Sequence, residues 1–153
     1  METRSRTSRP ALPLEEDVFV RLQRAADWLL QSVERLLKAQ GLSPAQYNVL
    51  RILRGAGPGG LNCREIGERM VTRDPDMTRL LDRLEKRGLI ARERRKDDRR
   101  MVTTRVTPQG LDFLKRLDQP VRELHRQQLR HVPVASLKTL GKLLNQVRAR
   151  APE

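Results

Sequence analysis

The spacing of apolar residues along the chain predicts a mainly helical protein. Over residues 14–40 they recur every three or four positions, which predicts one long amphipathic helix that ends at Gly41. The apolar stripe is wider than one packing surface needs, so we expect this helix to contact both its own domain and a partner subunit. Its main positions are Phe19, Leu22, Ala26, Leu29, Val33, Leu36 and Leu37.

A second helix is predicted to begin at Ser43. Ser43, Pro44 and Gln46 supply an N-cap, a proline at the first helical position and a capping-box partner. The helix ends in a glycine-rich stretch at residues 55–60. That stretch lacks the Lys-Ser/Thr pair of a phosphate-binding P-loop and follows no strand, so we interpret it as a connection.

Two short helices are predicted next, separated by a tight turn. Asn62 and Glu65 have capping-box spacing at the start of the first. Asp74 followed by Pro75 predicts the start of the second, and Gly88 predicts its end. The apolar residues of the second helix fall on one face: Met77, Leu80, Leu81 and Leu84.

The opposite face of this second short helix is polar. Arg79, Asp82 and Lys86 point away from the apolar face, and Thr78 and Arg83 flank them. A helix anchored on one side, and second in a closely spaced pair, is the kind that enters the major groove of DNA. The alternative interpretation is a solvated charged face with no partner.

A basic hairpin is predicted after this pair of helices. Residues 90–95 and 101–106 can form two strands, and residues 92–100 carry six basic side chains against three acidic ones. At the tip, Arg99 and Arg100 can reach a phosphate or a narrow minor groove. Asp98 is better suited to brace an arginine, because phosphate repels a carboxylate. The alternative is a charged edge that only prevents strand aggregation.

Two more helical segments follow the hairpin. Thr107 and Pro108 predict a helix start, and Pro120 within the apolar pattern predicts a kink or a split into two helices. A last helix is expected at about residues 133–147. The predicted fold class is therefore mainly α with a small β-wing, a winged helix-turn-helix flanked by N- and C-terminal dimerisation helices.

The chain divides into four predicted parts. A disordered basic tail at residues 1–13 precedes an N-terminal dimerisation helix at 14–41. The winged helix-turn-helix DNA-binding domain covers residues 42–107, and C-terminal dimerisation helices cover 108–150.

Charge narrows the classes of partner. A formal net charge of +13 predicts a polyanion partner, either nucleic acid or an anionic membrane. No apolar run approaches the roughly 20 residues of a membrane span. No secretory signal is visible near the N-terminus, so a cytoplasmic location is expected. Aromatic residues, at 3%, are too few for RNA-stacking platforms.

The sequence contains few candidate residues for a catalytic site or a metal site. The single cysteine, Cys63, can form neither an internal disulfide nor a cysteine-based zinc site, and we interpret it as a semi-buried residue rather than a redox sensor. His125 and His131 do not share a helical face. With no nucleophile–base pair or paired carboxylates in an apolar cleft, we expect neither an enzyme nor a cofactor.

Four blocks of sequence carry a family resemblance. They are Leu-Ser-Pro-Ala-Gln-Tyr at 42–47, Met-Thr-Arg-Leu-Leu-Asp-Arg-Leu-Glu-Lys-Arg-Gly-Leu-Ile at 77–90, Asp-Arg-Arg at 98–100 and Val-Thr-Pro-Gln-Gly at 106–110. With them the chain resembles the MarR family of bacterial transcriptional regulators, over about residues 15–150. The second and third blocks at this spacing make the resemblance specific.

The resemblance implies a homodimer joined through the first and last two helices. It implies two recognition helices in successive major grooves of a pseudo-palindromic operator, usually for repression. The family's Asp-x-Arg wing motif maps to Asp98 and Arg100, which places Arg100 in the minor groove. Many members respond to small, often phenolic, ligands or to oxidants. Oxidant sensing in the family typically uses a cysteine in the first helix, and this sequence has none there.

The expected partners are double-stranded DNA, a second copy of the chain and a small aromatic effector. The residues expected to bind DNA are Arg64, Arg73, Asp76, Thr78, Arg79, Arg83, Arg95, Lys96, Asp98, Arg99 and Arg100. Of these, the expected phosphate contacts are Arg64, Arg73, Lys96 and Arg99, and the expected contacts to base edges are Asp76, Thr78, Arg79 and Arg83. Three aromatic residues could line an effector pocket, Trp28, Tyr47 and Phe113, although for Trp28 a place in the core is the preferred interpretation. The alternative function is a winged-helix protein–protein assembly module without specific DNA binding.

Overall fold

The computed structural model describes residues 12–94 and 101–149. These residues form six α-helices and a two-stranded antiparallel sheet, and the predicted mainly α fold with a small β-wing is confirmed. In chain order the elements are α1 Leu14–Lys38, α2 Pro44–Ala56, α3 Cys63–Arg69, α4 Met77–Lys86, β1 Ile90–Arg94, β2 Val102–Val106, α5 Pro108–Leu129 and α6 Val134–Ala149.

Local capping sets the starts of α2 and α3, as predicted. The Ser43 hydroxyl accepts a hydrogen bond from the Gln46 backbone N–H at 3.1 Å, and the Gln46 side chain accepts one from the Ser43 N–H at 2.9 Å. Asn62 and Glu65 make the same reciprocal pair at 2.9 and 2.8 Å. Each pair satisfies two N–H groups that a helix end otherwise leaves without a partner.

The predicted start of α4 at Asp74 and Pro75 is wrong. Asp76 is the N-cap, and its carboxylate accepts from the Arg79 N–H at 3.1 Å, so the helix begins at Met77. Asp74 instead accepts from the Asp76 N–H at 2.8 Å. Such a local bond holds the backbone in a turn and competes with helix initiation at that point.

The hydrophobic core lies where α2, α4 and α5 meet the sheet and the end of α1. Leu50, Leu84 and Leu114 are fully buried there, and Leu37 brings the last turn of α1 into the same cluster. Arg54 of α2 also makes a bidentate ion pair with Asp118 of α5, with N···O distances of 2.9 to 3.0 Å. The first half of α5 therefore packs with the winged region, which runs from α2 to β2.

The sheet is extended by a close backbone approach that was not predicted. Leu61 pairs with Thr104 of β2, with N···O distances of 3.0 and 2.8 Å. Gly60 has a φ of +67°, and a Cβ there would lie 2.5 Å from the Thr104 carbonyl oxygen. The end of the glycine-rich connection thus allows the chain to pass against β2, where no side chain fits.

The α5 helix is continuous through Pro120, so of the two predicted outcomes, a kink or a split into two helices, the split is wrong. Proline removes the hydrogen bond to the carbonyl four residues earlier, which is that of Arg116. Both residues are exposed, so water can hydrate that carbonyl. The lost bond therefore costs less here than it would in a buried helix.

Two segments expose apolar side chains instead of burying them. All residues of α1 and α6 are described; Leu37 alone is buried in α1, and none is buried in α6. Trp28 is 52% exposed, so its interpretation as a core residue is wrong for the single chain. The exposed apolar residues of the two helices include Leu14, Val18, Phe19, Leu30, Val134, Leu140, Leu143, Leu144 and Val147.

Candidate nucleic-acid interface

Helix α4 has one buried and one exposed face, as the sequence predicts. Leu80, Leu81 and Leu84 are 7%, 2% and 0% exposed. Thr78, Arg79, Arg83 and Lys86 are exposed. Because the leucines anchor the helix to the core, the threonine and the basic residues stand on a rigid support at the surface.

The structure brings two of the predicted phosphate-binding residues to one cleft. Arg64 of α3 and Arg73 of the connection to α4 line it together with Glu68 and Met77. Both arginines are exposed, and the Arg64 guanidinium lies 2.8 Å from the Glu68 carboxylate. Their positive charges therefore lie beside the first turn of α4.

Three of the predicted base-contacting residues line a second cleft. Asp76, Arg79 and Arg83 meet the start of α2 there, at Ser43 and Gln46. Asp76 is also the cap of α4, so one of its oxygens already accepts a hydrogen bond from the chain. The side chains of Arg79 and Arg83 take part in none of the hydrogen bonds described, so these two arginines are the better candidates for contact with bases.

An ion-pair cluster ties α4 to the sheet, and its basic member, Arg92, was not predicted. Arg92 of β1 donates from Nη2 to Asp82 and to Glu85, each at 2.5 Å, and from Nε to Glu85 at 2.9 Å. These bonds lower the pKa of the Glu85 carboxyl below its ordinary value of 4.5. The only sequence signal was the pair of carboxylates three residues apart on α4, which does not indicate the partner.

A second unpredicted contact holds the sheet against the glycine-rich connection. Arg105 of β2 donates from Nε to the Pro58 carbonyl at 2.7 Å and from Nη1 to Glu93 of β1 at 2.9 Å. The base of the wing is therefore fixed to the body of the domain from both strands.

The predicted wing-tip contacts fall in the part of the chain between the two described ranges. Arg95, Lys96, Asp98, Arg99 and Arg100 all lie outside the described residues. The described strands end at Arg94 and begin again at Val102, within one residue of the predicted boundaries.

The structure brings together two of the three aromatic residues predicted to line an effector pocket. Tyr47 is 8% exposed in the core, and Phe113 packs against the same core. The guanidinium of Arg87, at the end of α4, lies 5.3 Å from the centre of the Phe113 ring. Trp28 is outside this cluster, so the structure does not unite the three aromatic residues.

Cys63 is exposed at the first position of α3, so the expectation that it is semi-buried is wrong. The helix packs through Ile66, which is fully buried.

Within residues 12–94 and 101–149, no three His, Cys, Asp or Glu side chains are grouped to hold a metal ion. Among the helices described, none combines the length and apolar character required to cross a membrane.

Comparison with known proteins identifies a family match over the winged part of the chain. The MarR family model matches residues 42–102, which run from the residue before the Ser43 cap to the first residue of β2. The chain is 31% identical to the HTH-type transcriptional regulator PrsX of Escherichia coli, over 71% of this chain and 66% of PrsX. It is 34% identical to the HTH-type transcriptional repressor MdtR of Bacillus subtilis, over 63% of this chain and 61% of MdtR.

A solved structure extends the match to most of the chain. The MarR transcription factor from Planctomyces limnophilus is 37% identical, with a TM-score of 0.66, over 89% of this chain and 98% of that protein. The chain spans slightly less than two thirds of the length of PrsX and of MdtR. The names of these relatives are those of transcriptional regulators, not enzymes. On the strength of this nearly full-length match, the chain belongs to the MarR family.

Proposed function

We propose that the chain is a sequence-specific DNA-binding repressor that acts as a homodimer on a pseudo-palindromic operator. The observation that carries this proposal is the two-faced α4. Its leucines are buried, Thr78, Arg79 and Arg83 are exposed, and Arg64 and Arg73 line a cleft with Met77 at its first turn. One helix thus offers groups that can contact bases, and arginines that can contact phosphates lie at its start.

The exposed side chains of α4 suit the major groove. Arginine can donate two hydrogen bonds to the O6 and N7 atoms of guanine, which is the commonest specific contact. We assign this role to Arg79 and Arg83, and phosphate contacts to Arg64 and Arg73. Lys96 and Arg99 would add phosphate contacts from the wing, and Arg100 would enter the minor groove, with Asp98 bracing it.

The homodimer accounts for the apolar surface of α1 and α6. Phe19, Trp28 and Val147 are 59%, 52% and 60% exposed in the single chain. A second copy that packs on these helices would bury them and hold two α4 helices at a fixed separation. One turn of duplex, roughly 34 Å, is the separation that successive major grooves require.

A small aromatic effector is a secondary proposal, favoured by the position of Phe113. The guanidinium of Arg87, the C-cap of α4, lies over the Phe113 ring and donates to the Gly41 carbonyl at 2.6 Å. A ligand that displaced Arg87 from this site would loosen the connection between α1 and α4. The proposed consequence is release from the operator.

Gel-shift measurements on the purified protein test the main proposal. The probes are the duplex upstream of its own gene and a random duplex of equal length, each at two salt concentrations. We expect tighter binding to the upstream duplex, and weaker binding to both at higher salt because phosphate contacts release counterions. Equal affinity for the two duplexes, or none for either, would instead support the assembly module.

A further inference from the structure

Helix α4 carries acidic residues where DNA binding disfavours them. Asp82 and Glu85 lie on the helix proposed to enter the major groove, and their side chains are 44% and 38% exposed. A free carboxylate near a phosphate is repelled, and the repulsion is strongest where water is displaced. Something must therefore offset these two charges for α4 to approach a duplex closely.

Arg92 of β1 is placed to do this. Its guanidinium lies 2.5 Å from an oxygen of each carboxylate, and its side chain is only 24% exposed. A planar guanidinium can serve two carboxylates at once, which the single ammonium of a lysine does less well. The cluster as a whole then carries one negative charge instead of two.

The same contact fixes the wing to α4. Strand β1 pairs with β2 along one edge, and the Arg92 backbone N–H donates to the Glu85 carboxylate at 3.2 Å. The connection between α4 and β1 is short, because α4 ends at Lys86 and β1 begins at Ile90. Backbone and side-chain bonds from one residue therefore constrain the angle between helix and wing.

We propose that Arg92 is a positioning residue of the DNA site. It withdraws the Asp82 and Glu85 carboxylates from the approaching phosphates and sets the orientation of α4 relative to the wing. This inference rests on the proposed function and names a determinant of affinity that does not itself touch DNA.

The test compares operator affinities of a set of variants. Arg92→Gln should bind about tenfold more weakly than the native chain, and Arg92→Lys should lie between them, given that each charged hydrogen bond is worth about one to two powers of ten. The triple variant Arg92→Gln, Asp82→Asn, Glu85→Gln should recover most of the lost affinity, since no carboxylate is left to be withdrawn.

A matched control separates this effect from net charge. Arg92→Gln combined with Asp112→Asn and Glu123→Gln has the same net charge as the triple variant, but the two changes lie on the exposed surface of α5. It should bind as weakly as Arg92→Gln alone. If this control recovered operator affinity, or if the triple variant did not, the proposal that Arg92 withdraws the two carboxylates from the phosphates would be overturned.

A measurement without DNA tests the positioning role. Hydrogen exchange of the Arg92 amide should be about tenfold faster in Glu85→Ala, because its acceptor is lost. An unchanged exchange rate would overturn that role, whether or not the native chain binds DNA. If the native chain bound the operator and Arg92→Gln bound equally well, the inference would fail and the proposed function would stand.

Discussion

The winged region and the helical arms, α1 and α6, differ in how completely a single chain buries their apolar side chains. From α2 to the start of α5, leucines such as Leu50, Leu53 and Leu84 are fully buried. In α6, Leu143 and Val147 are 51% and 60% exposed, although their spacing is equally regular. A regular apolar stripe therefore predicts a helix, but not which chain will cover it.

The contrast assigns different roles to similar patterns. In the winged region the apolar face supports a polar face that can meet DNA. In the arms we propose that the exposed apolar face is the surface on which a second copy packs, since exposed apolar patches of this kind mark association sites. The arms would thus fix the position of one winged region relative to the other in the proposed homodimer.

The largest effect on stability should come from a substitution on the buried face of α4. Leu84→Ala removes a fully buried side chain, and we expect it to lower the free energy of unfolding by about 2–5 kcal/mol. Urea unfolding followed by circular dichroism measures this. Val71→Ala, at a site 88% exposed in the same region, is the control and should change it by less than about 0.5 kcal/mol. Similar losses in both would remove the contrast between buried and exposed apolar sites.

The next effect tests the arms. Leu143→Asp with Val147→Asp should dissociate the homodimer, because burying each apolar side chain is worth about 1.5–3 kcal/mol and a carboxylate cannot be buried cheaply. Sedimentation should show a monomer whose winged region still unfolds cooperatively. Lys142→Asp, an exposed position on the same helix, serves as the control. A native chain that is already monomeric would contradict the proposed role of the arms.

A smaller effect sharpens the role of the polar face. Arg79→Ala should weaken operator binding by about 1–3 kcal/mol and reduce the preference over random DNA. Arg21→Ala removes an arginine from the exposed surface of α1, 76% exposed, and should leave that preference unchanged. Fluorescence anisotropy with both duplexes gives the two affinities. Equal losses on operator and random DNA would rule out base contact by Arg79.

The smallest effect concerns pH. Arg92 lowers the pKa of the Glu85 carboxyl in the folded chain, so this carboxylate contributes stability that is fully present above the ordinary pKa of 4.5. That contribution is lost as the pH falls through the lowered pKa. Because Glu85 is 38% exposed, solvent screens the pair and the effect is modest.

Thermal unfolding of the native chain and of Glu85→Gln, from neutral pH down to about pH 3, measures this contribution. The stability advantage of the native chain should be greatest above pH 4.5 and should shrink in acid. An advantage that grew as the pH fell would contradict the assigned direction of the pKa shift.

The sequence alone determined the features whose partners are close along the chain. The capping boxes at Ser43 and Asn62 depend on residues three positions apart, so they could be recognised without a fold. The buried and exposed faces of α4 followed from helical periodicity, and the family resemblance followed from blocks of adjacent residues.

Tertiary structure decided the features that depend on distant or competing partners. Two aspartates could each cap α4, and only the backbone path selects Asp76 over Asp74. The approach of Gly60 to Thr104 and the bonds from Arg92 to Asp82 and Glu85 join residues on different elements. Trp28 lies at the edge of the apolar stripe of α1 and was interpreted as a core residue, yet periodicity does not show whether a surface is covered by its own chain. Periodicity records which face is apolar, whereas burial depends on what the rest of the fold brings against it.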